Sequence, residues 1–544
     1  MPITYLHHAL AWAALAAGCA GAASAQTVAP GRAPAAASSL LQDGAAARVT
    51  LGEIVWTGAA LFTPAQQTAL AQPFLDQALW PWQIEAWRMD LTRQLVAQGW
   101  INSGVRLAAD ALTPLPDGRW RLHLTVVAGV VQDLQINGLD DLDPGYVRQR
   151  LWPDPQAPLQ LAQLRQRYQR LLEDPLLRQV NLQVQPGDAP GTAVLVVQVQ
   201  RAPTLQWRLS AGNDTPPSIG GHALGVQATW RNLGGWGDAL QWSVQAPPDR
   251  PEDARHSLSW RWPFKDSGVW LDAQTERGRA AVVEGDAQQL DIRSQLVRHE
   301  LGLGQQLRDD GRSQWTQGLS VSWRQHQTTL AGEPFSFVPE EALGRTKVQT
   351  LRAWQELSVR DPQAVHSVRA TLSWSHRVAF GLDAAPGAAP IETGFLNVLA
   401  QTARRLNDDG LQWQARALLQ WSPTPLMALD RLALGGVQTV RGFRENQLVR
   451  DRGLVLSTSL DWAQPTQLPG QPVLHWIPFV DWGQGQNVGQ PVQDLAATGV
   501  TWRWQWQRTR LELSKAWRLS PPIPRPSPAR LQDRGWHVQW VMTR

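Results

Sequence analysis

The chain has 544 residues, room for several domains or for one large domain with small ones beside it. Hydrophobic residues make up 43% and charged residues 18%, which excludes a disordered or coiled-coil chain, and a net charge of +4 without a basic block leaves no nucleic-acid patch. The single Cys excludes an internal disulfide framework and a Cys-rich metal site, while 30 Trp against 9 Phe and 3 Tyr suits a surface that meets a membrane interface.

The first segment reads as an export signal. Ala9 to Ala22 is an apolar, Ala-rich stretch, and Ala23-Ser24-Ala25 before Gln26 has the small-x-small pattern of a cleavage site, giving a signal peptide over residues 1–25. Ala16-Ala17-Gly18-Cys19 offers a second reading, a lipoprotein cleavage box. Residues 26–48 are rich in Ala, Pro and Gly and read as a linker or a short plug segment. Beyond the signal, no run reaches the ~18–20 apolar residues of a membrane helix. A mature chain that spans a membrane must therefore do so as a closed β-barrel, the other structure that satisfies every backbone group in lipid.

Two similar β-α-α-β-β units follow, residues 49–129 and 130–202. In the first, Val49 to Trp56 is a strand, and Thr63-Pro64-Ala65-Gln66 supplies a capping box with proline at the first helical position. The next helix carries Ile84, Trp87, Leu91 and Leu95 at spacings of three and four and stops at Gly99. Strands at Val105–Leu112 and Trp120–Val127 complete the unit. The second unit opens with Val130–Ile136. Asp143-Pro144 starts a short helix, and Leu161, Leu164, Tyr168 and Leu171 stripe the following one. Strands Val180–Val184 and Ala193–Val199 close the repeat.

From Leu205 onward the helical period gives way to alternation with period two. Leu240, Trp242 and Val244 alternate with Gln241, Ser243 and Gln245; Val500, Trp502, Trp504 and Trp506 alternate with Thr501, Arg503, Gln505 and Gln507. About sixteen such segments fill residues 203–544, roughly 21 residues for each strand and its connection, which suits membrane strands of ~9–11 residues. A soluble sandwich also alternates, but the Trp-loaded apolar face, the export signal and the strand number favour a barrel. The fold class expected is an all-β transmembrane barrel preceded by two small α+β domains.

Signatures of catalysis are missing. No HExxH pair, GxSxG elbow or Walker loop occurs, and Gly483-Gln484-Gly485 with Gly489 misses the dinucleotide spacing. Asp309-Asp310 and Asp408-Asp409 stand beside Gly311 and Gly410, as turn residues do. No catalytic residue, metal or cofactor is expected, and the chain reads as a non-enzyme.

Four stretches carry a resemblance. Val440-Arg441-Gly442-Phe443 resembles the VRGY/F loop signature of outer-membrane barrels that carry POTRA domains, and Phe479-Val480-Asp481-Trp482-Gly483 resembles the F-x-D-x-G strand motif paired with it. Asn232 to Asp238 resembles the N-L-x-G-x-G-D turn of that superfamily, and Pro158 to Val199 follows the second POTRA domain of two-partner secretion transporters of the TpsB type. The resemblance implies two periplasmic POTRA domains and a sixteen-stranded outer-membrane barrel of a Gram-negative bacterium. The implied partner is a large β-helical exoprotein, bound unfolded through its N-terminal secretion domain and passed outward without nucleotide or cofactor. Outer-membrane lipids and, during biogenesis, the barrel-assembly machinery are the other implied partners. An insertase of the same superfamily is the alternative, although such proteins typically carry three to five POTRA units. A passive porin or barrel enzyme would have no use for the two α+β units.

Three sets of site residues follow. Val440, Arg441, Gly442, Phe443, Phe479, Asp481 and Gly483 are expected to lock an inward-folding loop, residues 424–452, to the barrel wall. The strand phase puts Phe479, Asp481 and Gly483 on one face, where a carboxylate belongs inside, and a pair in a wet lumen is expected to be screened by water. Val180, Asn181, Leu182, Gln183 and Val184 are the candidate cargo-binding edge. Arg503 and Arg510 fall on the polar phase of their strands and are expected to line the pore, giving an anion preference.

Overall fold

The computed structural model describes residues 48–544 apart from 109, 140–141, 153, 265–266, 339–342, 378–389, 469 and 521–528. The signal-peptide reading, the lipoprotein alternative and all but the last residue of the linker or plug over 26–48 lie outside the described residues. The chain divides into two compact units that meet in sequence at Ala202 and Pro203.

The first unit holds two small sheets with their helices. β1 (Val49–Gly58), β2 (Ala78–Leu79), β3 (Gly104–Arg106), β4 (Leu112–Pro114) and β5 (Trp120–Val127) form the first sheet, with β1 and β5 parallel at its centre. Its helices are α1 (Pro64–Ala71), which begins at the Thr63–Gln66 capping box, and α2 (Pro81–Ala97). Ile84, Trp87, Leu91 and Leu95 of α2 are all buried against this sheet, each contributing roughly 1.5–3 kcal/mol by leaving water. The strand expected over Val105–Leu112 is broken into β3 and β4: Ala111 NH turns back to the Ala108 carbonyl, and the Ala111 carbonyl accepts from His123 NH.

The second sheet is β6 (Val130–Asn137), β7 (Leu177–Pro186) and β8 (Thr192–Arg201) in the order β6-β8-β7, so β7 is an edge. It is covered by α3 (Pro144–Leu151) and α4 (Leu161–Leu172). The two sheets are tied to one another. Asn102 Nδ2 donates to the Gly191 carbonyl at 3.0 Å, Leu161 NH donates to the Gly99 carbonyl at 2.9 Å, and Ile101 packs on the apolar core of the second sheet.

The second unit is a closed antiparallel barrel. Its spanning strands in chain order are β9 (Leu205–Gly212), β10 (Ala223–Arg231), β11 (Ala239–Ala246), β12 (Arg255–Phe264), β13 (Val269–Ala281), β14 (Arg293–Asp309) and β15 (Ser313–Leu330). After the two-residue β16 (Glu333–Pro334) come β17 (Arg345–Arg360), β18 (Ala364–Arg377), β19 (Glu392–Arg405) and β20 (Leu411–Trp421). A short hairpin, β21 (Leu432–Leu434) and β22 (Leu448–Arg450), interrupts the series before β23 (Arg452–Pro465), β24 (Val473–Gln486), β25 (Gln493–Trp506), β26 (Thr509–Arg518) and β27 (Trp536–Thr543). The sixteen spanning strands close where β27 pairs with β9.

The alternation explains the wall. On β25, Leu495, Ala497 and Thr501 are buried inward, while Trp504 and Trp506 of the other phase are exposed on the outer face. Trp207, Trp323, Trp421 and Trp462 are exposed in the same way, the position in which an indole meets lipid and headgroup together. Inside the barrel, the described residues form one sizeable apolar cluster. Leu432, Leu434, Val440 and Phe443 of the segment between β20 and β23 pack there on Val455, Phe479, Leu495, Ala497 and Ala516 of the wall. The segment therefore folds into the lumen.

Candidate functional site: the loop held inside the barrel

Glycines let the inward segment turn and approach the wall. Gly435, Gly436 and Gly442 have φ of +100°, +97° and +89°, the left-handed region that other residues adopt at a cost. On the wall the requirement is space rather than φ. A Cβ on Gly483 would stand 2.9 Å from Val440 Cγ2, and one on Gly485 would stand 2.6 Å from Leu434 Cδ1.

At the tip, Arg441 and Asp481 meet. Arg441 Nε donates to Asp481 Oδ2 at 2.7 Å and Nη2 donates to Oδ1 at 2.8 Å, the parallel fork that only a guanidinium offers. The backbone NH of Arg441 adds a bond to Oδ2 at 3.0 Å, and Ser457 Oγ donates to Oδ1 at 2.5 Å. The Asp481 carboxylate is thereby saturated. The guanidinium also lies over the Phe479 ring, 3.4 Å from its centroid. Asp481 is 0% exposed, so the expectation of a water-screened pair fails. Val440, Phe443 and Phe479 pack into one cluster at this point of the wall and keep water from the carboxylate. Breaking such a pair strands a buried charge, a loss of about 3–5 kcal/mol.

Gly442 and Phe443 are held next to it. Gly442 NH donates to His537 Nε2 at 3.0 Å, and Arg518 Nε donates to the Gly442 carbonyl at 2.6 Å while its guanidinium faces the Phe443 ring. Arg444 is gripped by two carboxylates, Asp533 at 2.6 and 2.7 Å and Glu284 at 2.7 and 2.9 Å. Both partners raise its pKa above the ordinary guanidinium value. Glu445 accepts from Val437 NH at 2.6 Å, and burial pushes its carboxyl up to about 7.

The base of the loop is fixed too. Asp430 pairs with Arg324 of β15 at 2.6 Å, and Asp451 accepts from Leu426 NH, Arg431 and Val488 NH. These anchors, with Arg444, Arg518, Asp533 and His537, escaped the sequence reading. The one local signal was the opposed pair Asp430-Arg431 and Arg450-Asp451 that brackets the inward segment.

The other expected residues lie elsewhere. Arg503 and Arg510 share the inward phase of β25 and β26 but not as free charges. Arg503 is paired with Asp461 at 2.9 Å and Glu512 at 2.7 Å, and Arg510 with Glu512 at 3.5 Å. The carboxylates of Asp461 and Glu512 offset Arg503 and Arg510, and Arg208 of β9 stands beside Arg510 and Glu512 as a further cation. Val180 to Val184 lie on β7, whose one strand neighbour is β8. Asn181, Gln183 and Val184 are exposed, Val180 is buried, and its carbonyl accepts from Tyr168 Oη at 2.8 Å. Among the described residues no His, Cys, Asp and Glu cluster has the makings of a metal site.

Comparison with known proteins agrees with this architecture. The family model for haemolysin secretion/activation protein ShlB/FhaC/HecB matches residues 191–504. The outer membrane transporter CdiB of Escherichia coli O6:K15:H31 (strain 536 / UPEC) is 23% identical over 439 residues, covering 76% of this chain and 69% of that protein. Among solved structures, CdiB from Escherichia coli matches with a TM-score of 0.70 at 19% identity, covering 97% of this chain and 93% of the other. CdiB from Acinetobacter baumannii matches with a TM-score of 0.60 at 14% identity, covering 94% of both chains. At these identities the structural likenesses speak to the fold.

Proposed function

The chain belongs to the haemolysin secretion/activation protein family, outer-membrane transporters of two-partner secretion, and from that premise we propose how it handles its cargo. Residues 49–129 and 130–202 act as two periplasmic POTRA domains that bind an unfolded exoprotein through its N-terminal secretion domain. The barrel, residues 203–544, passes the cargo to the cell surface, and the loop over 424–452 gates it. Transport draws on no nucleotide and no cofactor.

The observation that carries this reading is the position of the loop. A segment packed in the lumen and fixed to the wall by a saturated Arg441–Asp481 contact stands where cargo must pass, and its hold is made of side-chain bonds that can be broken without breaking the barrel ladder. The exposed β7 edge supports the binding half, since an extended cargo segment can add to it as a strand. The test is secretion by cells that carry the transporter with its exoprotein. Arg441→Ala and Asp481→Ala are each expected to abolish secretion while the barrel stays abundant and heat-modifiable, and the double variant is expected to be no worse than either single one. Normal secretion by Arg441→Ala, or loss of the folded barrel, defeats the reading.

A further inference from the structure

The barrel closes through its shortest junction. β27 pairs with β9 from Gln539–Thr543 against Gly212–Arg208, with one further backbone exchange between Arg544 and Trp207, whereas β13 and β14 stay in register from Val269 to Ala281. Beyond Gly212, one more backbone bond is made and side chains then take over from the ladder. Asn213 NH donates to the Val538 carbonyl at 3.1 Å. Its side-chain amide then works as an extra peptide group, Oδ1 accepting from Val538 NH at 2.7 Å and Nδ2 donating to the Trp536 carbonyl at 2.9 Å. Gln532 completes the clasp. Its Nε2 donates across the junction to the carbonyls of Asn213 and Thr215, the second at 2.8 Å.

The same Gln532 amide faces the loop. Its Oε1 accepts from Glu445 NH at 2.9 Å, so one buried side chain, 1% exposed, bonds the inward loop with one end and the first strand's continuation with the other. Two neighbours repeat the link. Asp533 grips Arg444 of the loop, and His537 of β27 receives Gly442 NH. We propose that Gln532 and Asn213 couple the loop to the closing seam: with the loop inside, the seam is clasped beyond Gly212; with the loop withdrawn, Gln532 loses its support and the seam loosens from that end. Gln532 is a positioning residue in this scheme. The inference rests on the loop being the movable element proposed above, but it concerns the wall rather than the passage of cargo.

Hydrogen exchange of the full-length protein in detergent micelles reads the seam directly. Gln532→Leu is expected to speed exchange about tenfold at Asn213 and Val538, the loss of two or three bonds, with no change on β17 and β18. Arg441→Ala removes no hydrogen bond to either strand of the seam, yet it is expected to speed the same amides by releasing the loop, and the two substitutions together are expected to add nothing. Where Gln532→Leu does not yield a heat-modifiable barrel, Gln532→Glu serves instead. It keeps an oxygen for Glu445 NH but sets a second oxygen against the two carbonyls, so the seam should still loosen. Unchanged seam exchange in the Gln532 variant, or in Arg441→Ala, overturns the coupling. Secretion separates the two proposals: normal secretion by Arg441→Ala with a loosened seam sinks only the gating role, and lost secretion with a tight seam sinks only this one.

Discussion

At the scale of single residues, the loop is held by groups whose bonding capacity is filled. Asp481 has all four acceptor positions occupied, two by the Arg441 side chain, one by its backbone and one by Ser457. Arg441 adds a stacking contact on Phe479, which an ammonium on a flexible stem reproduces poorly. Glu445 is the exception, because its burial is only partly offset by the Val437 NH, and the nearby Asp214 adds a like charge. With the loop inside, the carboxyl titrates at about 7; in water it returns toward its ordinary 4.5. A raised acid favours the state that keeps the proton, so this contribution to loop retention is complete below about pH 4.5 and is lost as pH rises through about 7. The loop is thus expected to leave its seat more often at pH 8 than at pH 5. Single-channel recordings in planar bilayers should show more open events at the higher pH, and Glu445→Gln, which keeps the oxygen for Val437 NH, should flatten the difference. An unaltered pH response in Glu445→Gln would place the effect on another group.

At the scale of elements, most of the architecture is written in local pattern. The Thr63–Gln66 box and the 84-87-91-95 stripe suffice for α1 and α2, and the switch to period two marks where the barrel begins. Arg441 and Asp481 were legible because each sits in a short motif and Asp481 has the inward strand phase. Their neighbours were not. Glu284 lies 160 residues from Arg444 and His537 lies 95 from Gly442, and an inward polar residue on a barrel strand looks the same in sequence whether or not it has a partner. Register across strands decides that, and alternation alone does not carry it. The pairing of Arg503 with Asp461 and Glu512 is the same failure seen from the other side. For β7 the register suggests a sharper probe than a single substitution. Consecutive residues of an antiparallel strand point their NH groups alternately to the neighbour and to the free side. Of Leu182→Pro and Gln183→Pro, one removes a free-edge donor and the other a bond to β8. The edge variant is expected to weaken binding of the exoprotein's secretion domain to the full-length transporter about tenfold, the loss of one or two backbone bonds, without lowering the protein's thermal stability. Full binding by both variants would remove β7 as the docking edge.

At the scale of the whole barrel, the wall and its occupant are separable. The wall stands on a closed ladder of sixteen strands, completed by side chains only at the end of the β27–β9 seam. The occupant stands on one apolar cluster against β23 to β26, on the Asp430 and Asp451 anchors, and on the polar bonds at its tip. The β21–β22 hairpin offers a place to cut, because Leu434 and Leu448 are already opposite one another and the segment beyond them can be replaced by an Asn-Gly turn. Removing residues 435–447 in this way takes Val440, Phe443 and the Arg441 fork out of the lumen without cutting a strand of the wall. The barrel is therefore expected to keep its abundance and heat-modifiability, to conduct more ions per channel than the parent, and to secrete nothing, since an emptied pore lacks the element proposed to open for cargo. A conductance equal to the parent's would mean that the loop does not obstruct the lumen. Secretion at the parent's level would mean that it obstructs but does not gate, and loss of the folded barrel would mean that wall and occupant are one structure after all.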